Sequence, residues 1–259
     1  MKIYGKNPVL ERLKANPKSV RVIFVQSGHP EHSYIATKAK KHNIPVQVVE
    51  ARKMLKLGRS LNTQGLLMDV EDFEYVDYEL VLEEAAAGAT VLVFIDGLND
   101  PQNLGAIIRS LGCLGGFTLV LPTHDSVHVT DAVLRVACGG ENHARVAKVN
   151  NLNQAISKAK SAGIWIAGSV VKDGVDLKAT KLPFPLALVI GSEEKGIREV
   201  TLPRLDLKLT IFMAHPRMSL NAAHAASIFC YEINKQRPKH APKTKSQSGE
   251  KVDYDNLPE

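Results

Sequence analysis

The chain has 259 residues, of which 44% are hydrophobic. This length and composition suffice for one large or two ordinary domains with a sizeable core. The formal net charge is +6 at pH 7. No apolar run is long enough to cross a bilayer and no apolar segment stands at the N-terminus, so neither a membrane protein nor a secreted one is predicted. Three separated cysteines without a CxxC pair (Cys113, Cys138 and Cys230) predict no disulfide framework and no metal site, which favours a reduced, cytoplasmic compartment.

Residues 1–75 are predicted to form a small, basic α/β domain. Helices are predicted at 7–13 and 31–42, and strands at 20–25, 45–49 and 66–70. This segment carries 13 Lys and Arg against 7 Asp and Glu, whereas the rest of the chain is electrically balanced. The asymmetry predicts a module that binds a polyanion, with nucleic acid first. A solvated basic surface without a partner is the alternative that charge alone leaves open.

The remainder of the chain is predicted to form a linker, a larger domain and a tail. Residues 76–90 are acidic and then alanine-rich, as expected for a linker followed by a short helix. Within 91–236, strands are predicted at 91–95, 117–121, 164–168, 186–190 and 207–212, and helices at 104–114, 128–137, 152–162 and 220–234. Such alternation indicates a parallel sheet with helices on both faces. Residues 237–259 have a polar, proline-containing composition that predicts a disordered tail.

Three predicted strands of the larger domain end in polar turns that lead into helices, where open parallel sheets place their binding sites. The first segment runs from Val91 through Asp96-Gly-Leu-Asn-Asp-Pro-Gln-Asn103-Leu-Gly to Arg109. The second ends in Gly191-Ser-Glu193-Glu-Lys-Gly196, and the third ends in Ser219-Leu-Asn221.

In this order, the three segments resemble the three motifs of the SpoU (TrmH-like) family of RNA ribose 2′-O-methyltransferases, within the SPOUT superfamily. The first family motif, Asp-Gly-x-x-Asp-Pro-x-Asn-x-Gly-x-x-x-Arg, is matched at every fixed position. The second, Gly-x-Glu-x-x-Gly, and the third, Ser-Leu-Asn, are also matched. The resemblance implies an α/β SPOUT-type fold with a deep C-terminal trefoil knot, S-adenosylmethionine as methyl donor, RNA as substrate and a homodimer formed through residues 91–236.

Residues 1–75 resemble the L30e-like RNA-binding domain that many SpoU enzymes carry. The resemblance rests on Tyr4-Gly5-Lys-Asn-Pro-Val9-Leu and on Gln64-Gly65, although Thr63 stands where many relatives have His. Such a front domain suits enzymes that act on ribosomal RNA, so large-subunit ribosomal RNA is the first expected substrate and transfer RNA the near alternative. A non-catalytic RNA-binding or ribosome-assembly factor with the same fold is the alternative from another class.

The resemblance marks five candidate catalytic residues: Arg109, Asn103, Glu193, Ser219 and Asn221. Methyl transfer to a ribose hydroxyl needs alignment and charge stabilisation, and it needs no metal. The Arg109 guanidinium can clamp a phosphate or stabilise a forming alkoxide. Because Arg109 lies off the apolar stripe of its predicted helix, an ordinary surface arginine is the simpler interpretation. Helix capping is the simpler interpretation for Asn103, Glu193, Ser219 and Asn221.

The resemblance also implies that backbone groups at Gly191, Ile211 and Leu220 bind the methyl donor. For Gly191 a physical reason is expected, since a residue without Cβ lets the main chain approach an adenosine closely. The chain departs from the family pattern near these positions, at Glu194, Phe212 and His215. A homodimer interface is expected to use apolar positions of the last helix, namely Ala223, Ala226, Ile228, Phe229 and Ile233.

Overall fold

A computed structural model of the protein describes residues 1–59, 61–215 and 218–238. The N-terminal unit is built on a four-stranded sheet of order β1-β4-β2-β3, in which β4 runs antiparallel to both neighbours and β2 and β3 are parallel. Its elements are β1 (Lys2–Tyr4), α1 (Lys6–Ala15), β2 (Val20–Gln26), α2 (His32–Lys41), β3 (Val46–Val49), α3 (Ala51–Leu57) and β4 (Leu66–Val70).

Two elements of this unit were missed in the sequence. Strand β1 has three residues, too few for an alternating pattern to be recognised. Helix α3 buries Met54 alone, so it has no apolar stripe, and its other positions include exposed basic side chains.

The C-terminal unit is built on a seven-stranded sheet of order β7-β6-β5-β10-β8-β11-β9, in which all the paired strands are parallel. Its elements are α4 (Tyr78–Ala86), β5 (Val91–Asp96), α5 (Pro101–Leu114), β6 (Phe117–Pro122), α6 (Asp131–Ala137), β7 (Arg145–Val149), α7 (Leu152–Ser161), β8 (Trp165–Ser169), β9 (Val175–Asp176), β10 (Leu186–Gly191), β11 (Leu207–Thr210) and α8 (Ala222–Gln236). The predicted parallel α/β fold is therefore confirmed; the trefoil knot stays a prediction.

Both faces of the large sheet are covered, which explains why its central strands read as continuous apolar runs. Alternate residues of β5 enter two different cores: Val91, Val93 and Ile95 pack with α5, α6 and α8, whereas Leu92 and Phe94 pack with α4 and α7. The two strands missed in this unit lack such runs. Strand β7 contains two basic residues, Arg145 and Lys148, and β9 is only two residues long.

The segment expected to be a linker, 76–90, belongs to the core of the large unit. The Val76 amide donates to the Val146 carbonyl at 2.9 Å. Tyr78 is buried, and its hydroxyl donates to the Ala155 carbonyl at 2.7 Å. The tail expected from residue 237 begins with a fixed side chain, because Arg237 donates to the carbonyls of Ala89 and Gly116; residues 239–259 lie outside the described part of the chain.

The two units share one continuous apolar core. Ile3, Val9 and Leu13 of the front unit belong to the same buried cluster as Val133 and Leu134 of α6. The front unit is thus packed against the large unit on the side where α5 and α6 lie. Within the described residues, no helix has the length and apolarity needed to cross a membrane.

Candidate functional site

The three polar segments converge at the carboxyl-terminal edge of the large sheet. Strands β5 and β10 are neighbours, with Asp96 paired in register with Gly191, and β8 lies between β10 and β11. Parallel strands end at the same edge, so the segments that follow them meet there. This convergence was expected from the sequence pattern.

One residue from each segment joins a hydrogen-bonded cluster, which we call the amide cluster: Asn103, Glu193 and Asn221. Asn103 is buried in α5, and its Nδ2 donates to Glu193 Oε1. Its Oδ1 accepts from Asn221 Nδ2 at 2.5 Å. Both ends of the Asn103 amide are therefore used, which fixes its orientation between two loops.

The capping interpretations have different outcomes. Asn103 is not the N-cap of α5, because the helix begins earlier, at Pro101, and is capped by Asp100, whose carboxylate accepts from the Gln102 amide at 2.8 Å. Asn221 is the N-cap of α8, accepting from the His224 amide at 2.9 Å while its own amide group reaches Asn103. Glu193 accepts a hydrogen bond from the Asn103 side chain.

Arg109 lies apart from the amide cluster. It is exposed and follows Asn103 by six residues on α5, about 9 Å along the helix axis and about 240° around it. Among the described residues, its guanidinium has no hydrogen-bond or ion-pair partner. Its position off the apolar stripe was expected, and its side chain is free to meet a molecule that is not part of this chain.

A cavity of about 850 Å³ opens beside the amide cluster, a volume typical of small-molecule sites. It is formed by the loops that follow β8, β10 and β11 and by the start of α8. All three expected donor-binding residues, Gly191, Ile211 and Leu220, line this cavity, as do Glu193 and Ser219. Asn103, Asn221 and Arg109 do not.

The departures from the family pattern lie in the loops that follow β10 and β11. Glu194 lines the cavity wall, and its side chain is exposed, as is that of His215. Phe212 follows the end of β11 and is 72% exposed. All three changes leave the buried walls untouched and alter the solvent side of the donor loops.

Gly191 is required by the packing of the protein itself. A Cβ atom at this position would overlap the backbone of Gly196 and Ile197, so the missing side chain makes room for the loop that follows. That loop is a tight turn in which Ser192 and Gly196 exchange two backbone hydrogen bonds, of 3.1 and 2.9 Å. Gly196 itself has φ +65°, in the left-handed region. The close approach of adenosine to Gly191 stays a prediction.

The ion pair between Asp96 and Arg198 anchors the same loop and was missed in the sequence. The Asp96 side chain is fully buried, and its carboxylate accepts from the Arg198 backbone amide at 3.0 Å and from Arg198 Nε at 2.5 Å. A carboxylate at the end of the apolar strand β5 had to be paired, since an unpaired buried charge is costly. Its partner is 102 residues away, and no local pattern points to it.

The described residues contain no group of three or more His, Cys, Asp or Glu side chains arranged to hold a metal ion. The three cysteines lie in different environments. Cys113 is exposed and Cys230 is buried, and burial raises the pKa of the Cys230 thiol to about 12. That thiol is therefore protonated, and a poor nucleophile, at neutral pH.

The protein therefore has an open parallel α/β sheet with a small-molecule cavity and polar loops at its carboxyl edge, where proteins of this class bind their ligands. Residues 90–231 match the SpoU rRNA methylase family, and residues 2–76 match the domain described as RNA 2′-O ribose methyltransferase substrate binding. The chain belongs to the SpoU rRNA methylase family.

Similar proteins agree with this placement. A Synechocystis protein named as a tRNA/rRNA methyltransferase is 35% identical over 241 residues, which cover 91% of this chain and 62% of that protein. RlmB of Coxiella burnetii, named as a 23S rRNA (guanosine-2′-O-)-methyltransferase, is 31% identical over 244 residues, 93% of this chain and 97% of that protein. The fold is similar to that of the SpoU methyltransferase AviRb of Streptomyces viridochromogenes, solved with AdoMet: the TM-score is 0.74 at 21% identity, over 92% of this chain and 90% of that one.

Proposed function

We propose that this protein transfers a methyl group from S-adenosylmethionine to a ribose 2′-hydroxyl of structured RNA, with large-subunit ribosomal RNA as its first substrate. The amide cluster at the rim of the cavity carries the proposal, because it joins all three family motifs at one point. The Coxiella relative, named for a 23S rRNA 2′-O-methyltransferase, supports the choice of RNA.

The cavity suits the methyl donor in size and in lining. Its walls combine apolar side chains, Ile190, Ile211 and Phe229 among them, with the backbone of glycine-containing loops. Apolar walls can hold an adenosine ring while loop backbone groups fix its polar edge. When bound, S-adenosylmethionine supplies an activated methyl group on a sulfonium, which is transferred by in-line displacement.

The residues of the chain would then align the acceptor and stabilise its charge. The amide cluster fixes the loops that border the cavity, so that donor and ribose meet in one geometry. The Arg109 guanidinium clamps a backbone phosphate or stabilises negative charge developing on the ribose oxygen. It is not assigned the role of a general base, because a guanidinium offers five donors and no acceptor.

Calorimetric titration is expected to detect S-adenosylmethionine binding in the presence of EDTA, since no metal takes part. Asp96→Asn should weaken this binding about tenfold or more, because the loop beside Gly191 loses a charge-assisted anchor of about 1.5–3 kcal/mol. Asp206→Asn is the control: Asp206 also accepts a backbone amide, that of Ile166 at 2.9 Å, but away from the cavity. Absence of donor binding in folded wild-type protein would remove the enzyme proposal.

The basic front unit is proposed to hold the RNA. Arg52, Lys53 and Lys56 are exposed on α3. Replacing all three with Gln is expected to weaken RNA binding and to lower the slope of log K against log salt by about 2–3, since each neutralised phosphate contributes about 0.9 in duplex nucleic acid. The measurement is RNA binding across a salt series.

Two comparisons make that experiment specific. Lys178→Gln with Lys181→Gln removes two exposed charges from the large unit and should leave the slope almost unchanged. Deletion of residues 1–75 is a poorer test, because it would uncover the shared core around Leu13. An unaltered slope in the triple variant would mean that α3 does not contact the RNA.

A homodimer is proposed to complete the site, because Arg109 is remote from the amide cluster within one chain. Four of the five apolar positions first expected at the interface, Ala223, Ala226, Phe229 and Ile233, are buried in the chain's own core. The large apolar side chains that α8 exposes are Ile228 and Tyr231, and Phe212 and Met218, in the loops before α8, are exposed as well.

Light scattering at tens of micromolar protein is expected to give the mass of a dimer. Ile228→Asp combined with Tyr231→Asp should give a monomer, since two charges would enter an apolar interface. Trp165→Asp is the matched control, because Trp165 is similarly exposed but lies on β8 and not on α8. A monomeric wild-type protein would contradict the dimer.

A further inference from the structure

A single turn lies between the front unit and the helix that carries Arg109. We call residues 139–143, which include the 3-10 turn Gly140–Asn142, the junction turn. On one side it contacts α1, where the His143 ring Nε2 and Glu11 Oε1 are 2.8 Å apart. On the other side it packs directly on α5: a Cβ at Gly140 would lie 2.6 Å from the Arg109 Cα atom. No side chain separates the turn from the helix at that point.

The strongest contact of the junction turn with the front unit is a buried ion pair. Arg12 Nη2 donates to Glu141 Oε1 at 3.1 Å, and the two side chains are 9% and 0% exposed. Glu141 Oε2 accepts from the Gly139 amide at 3.0 Å, so the carboxylate also fixes the turn itself. Arg12 Nη1 donates to Ser19 Oγ at 3.3 Å, which holds the guanidinium from the front-unit side.

Burial of this pair argues for a geometric role. Removing two charges from water costs about as much as their attraction returns, so a buried ion pair is weak support for stability but defines one arrangement of its partners. Packed backbone cannot absorb a displacement without moving its neighbour. A shift of the front unit relative to Glu141 would therefore be passed to α5 at Arg109.

We propose that Arg12 and Glu141 are positioning residues, which set where Arg109 stands relative to RNA held by the front unit. The inference rests on the proposed function, because it assumes that the front unit carries the RNA and that Arg109 meets it. Without the ion pair, Arg109 is expected to shift relative to the bound RNA, while the donor cavity stays intact. Neither Arg12 nor Glu141 lines that cavity.

Two other hydrogen bonds between the units reach α6 and not the junction turn. The Lys2 amide donates to Asp131 Oδ1 at 3.0 Å, and Arg135 Nη1 donates to the Tyr4 carbonyl at 3.4 Å. Arg135→Met therefore removes an arginine from the same interface without touching Glu141. It is the matched control for Arg12→Met.

The test compares full-length wild-type protein, Arg12→Met, the double variant Arg12→Met with Glu141→Leu, and Arg135→Met. At saturating RNA and S-adenosylmethionine, both Arg12 variants are expected to lower kcat about 10- to 100-fold, as a displacement near 1 Å does, with the donor Kd unchanged. Arg135→Met should keep wild-type kcat per folded molecule. The double variant leaves no buried charge unpaired, so it keeps the test decisive if Arg12→Met fails to fold.

Amide hydrogen exchange gives a second readout that does not depend on activity. Exchange along α5 around residues 105–112 is expected to accelerate in the double variant, while exchange in α7 stays as in the wild type. Wild-type kcat in a folded double variant, or unchanged exchange in α5, would overturn the positioning role. If the wild-type protein methylates no RNA, the proposed function fails, and the exchange data alone decide whether the pair holds α5.

Discussion

Replacing Arg109 with alanine is expected to lower the rate of methyl transfer about 10²–10³-fold, the usual loss when one preorganised charge contact is removed, or about 3–4 kcal/mol. Donor affinity and melting temperature should stay close to those of the wild type, because Arg109 is exposed and does not line the donor cavity. The measurement is methyl incorporation into the substrate RNA, made beside a donor titration and a thermal melt.

Two further variants complete this experiment: one keeps the positive charge of Arg109 without its shape, and one is a control at a neighbouring position. Arg109→Lys should also be slow, since a point charge does not replace a planar, two-pronged donor. Cys113→Ala changes an exposed residue one turn further along the same helix face and should leave the rate unchanged. A normal rate of methyl transfer in Arg109→Ala would mean that Arg109 is an ordinary surface arginine. A large fall in melting temperature would mean that its role is structural.

The second large effect is expected at Gly191. Alanine there would overlap the backbone of Gly196 and Ile197, and overpacking of this kind costs about 1–3 kcal/mol. The turn that packs on Gly191 forms part of the cavity wall, so the strain should displace this turn. Binding of S-adenosylmethionine should then weaken about 5- to 150-fold, which is about 1–3 kcal/mol expressed as a change in affinity. Calorimetry on the folded variant measures this.

Gly58→Ala provides the comparison for steric strain alone. A Cβ at Gly58 would lie 2.5 Å from Thr63 Cγ2, in the front unit and away from the cavity. This variant should lose thermal stability and keep its donor affinity. Undiminished donor affinity in a well-folded Gly191→Ala protein would show that the turn does not form the binding wall.

The sequence was sufficient for the fold and for the convergence of the three motifs. Apolar runs such as Val91–Ile95, each followed by a polar turn, indicate buried parallel strands, and parallel strands deliver their turns to one edge. That rule brings Asn103, Glu193 and Asn221 together without knowledge of their contacts. The capping role of Asn221 also follows from a local signal, an asparagine just before an apolar helix.

Contacts between distant segments were beyond sequence reasoning. The partner of Asp96 is an arginine in an irregular loop, and the partner of Arg12 is a glutamate 129 residues away. Each ion pair depends on how distant helices, strands and loops pack in three dimensions, and the spacing of apolar residues along the sequence does not predict that packing. The steric requirement for Gly191 was missed for the same reason, since the atoms that a Cβ there would overlap belong to a loop whose path is set by tertiary packing.

Mapping of ribose 2′-O-methyl groups tests the central proposal most directly. Ribosomal RNA and transfer RNA from cells that lack this protein would be incubated with the purified protein and S-adenosylmethionine, and each 2′-O-methylated nucleotide would then be located. We expect one new 2′-O-methyl group in large-subunit ribosomal RNA, absent when Arg109→Ala replaces the wild type. A new mark confined to transfer RNA would refute the choice of substrate, and a methyl group on a base, or no transfer by folded protein that binds the donor, would contradict the proposed reaction.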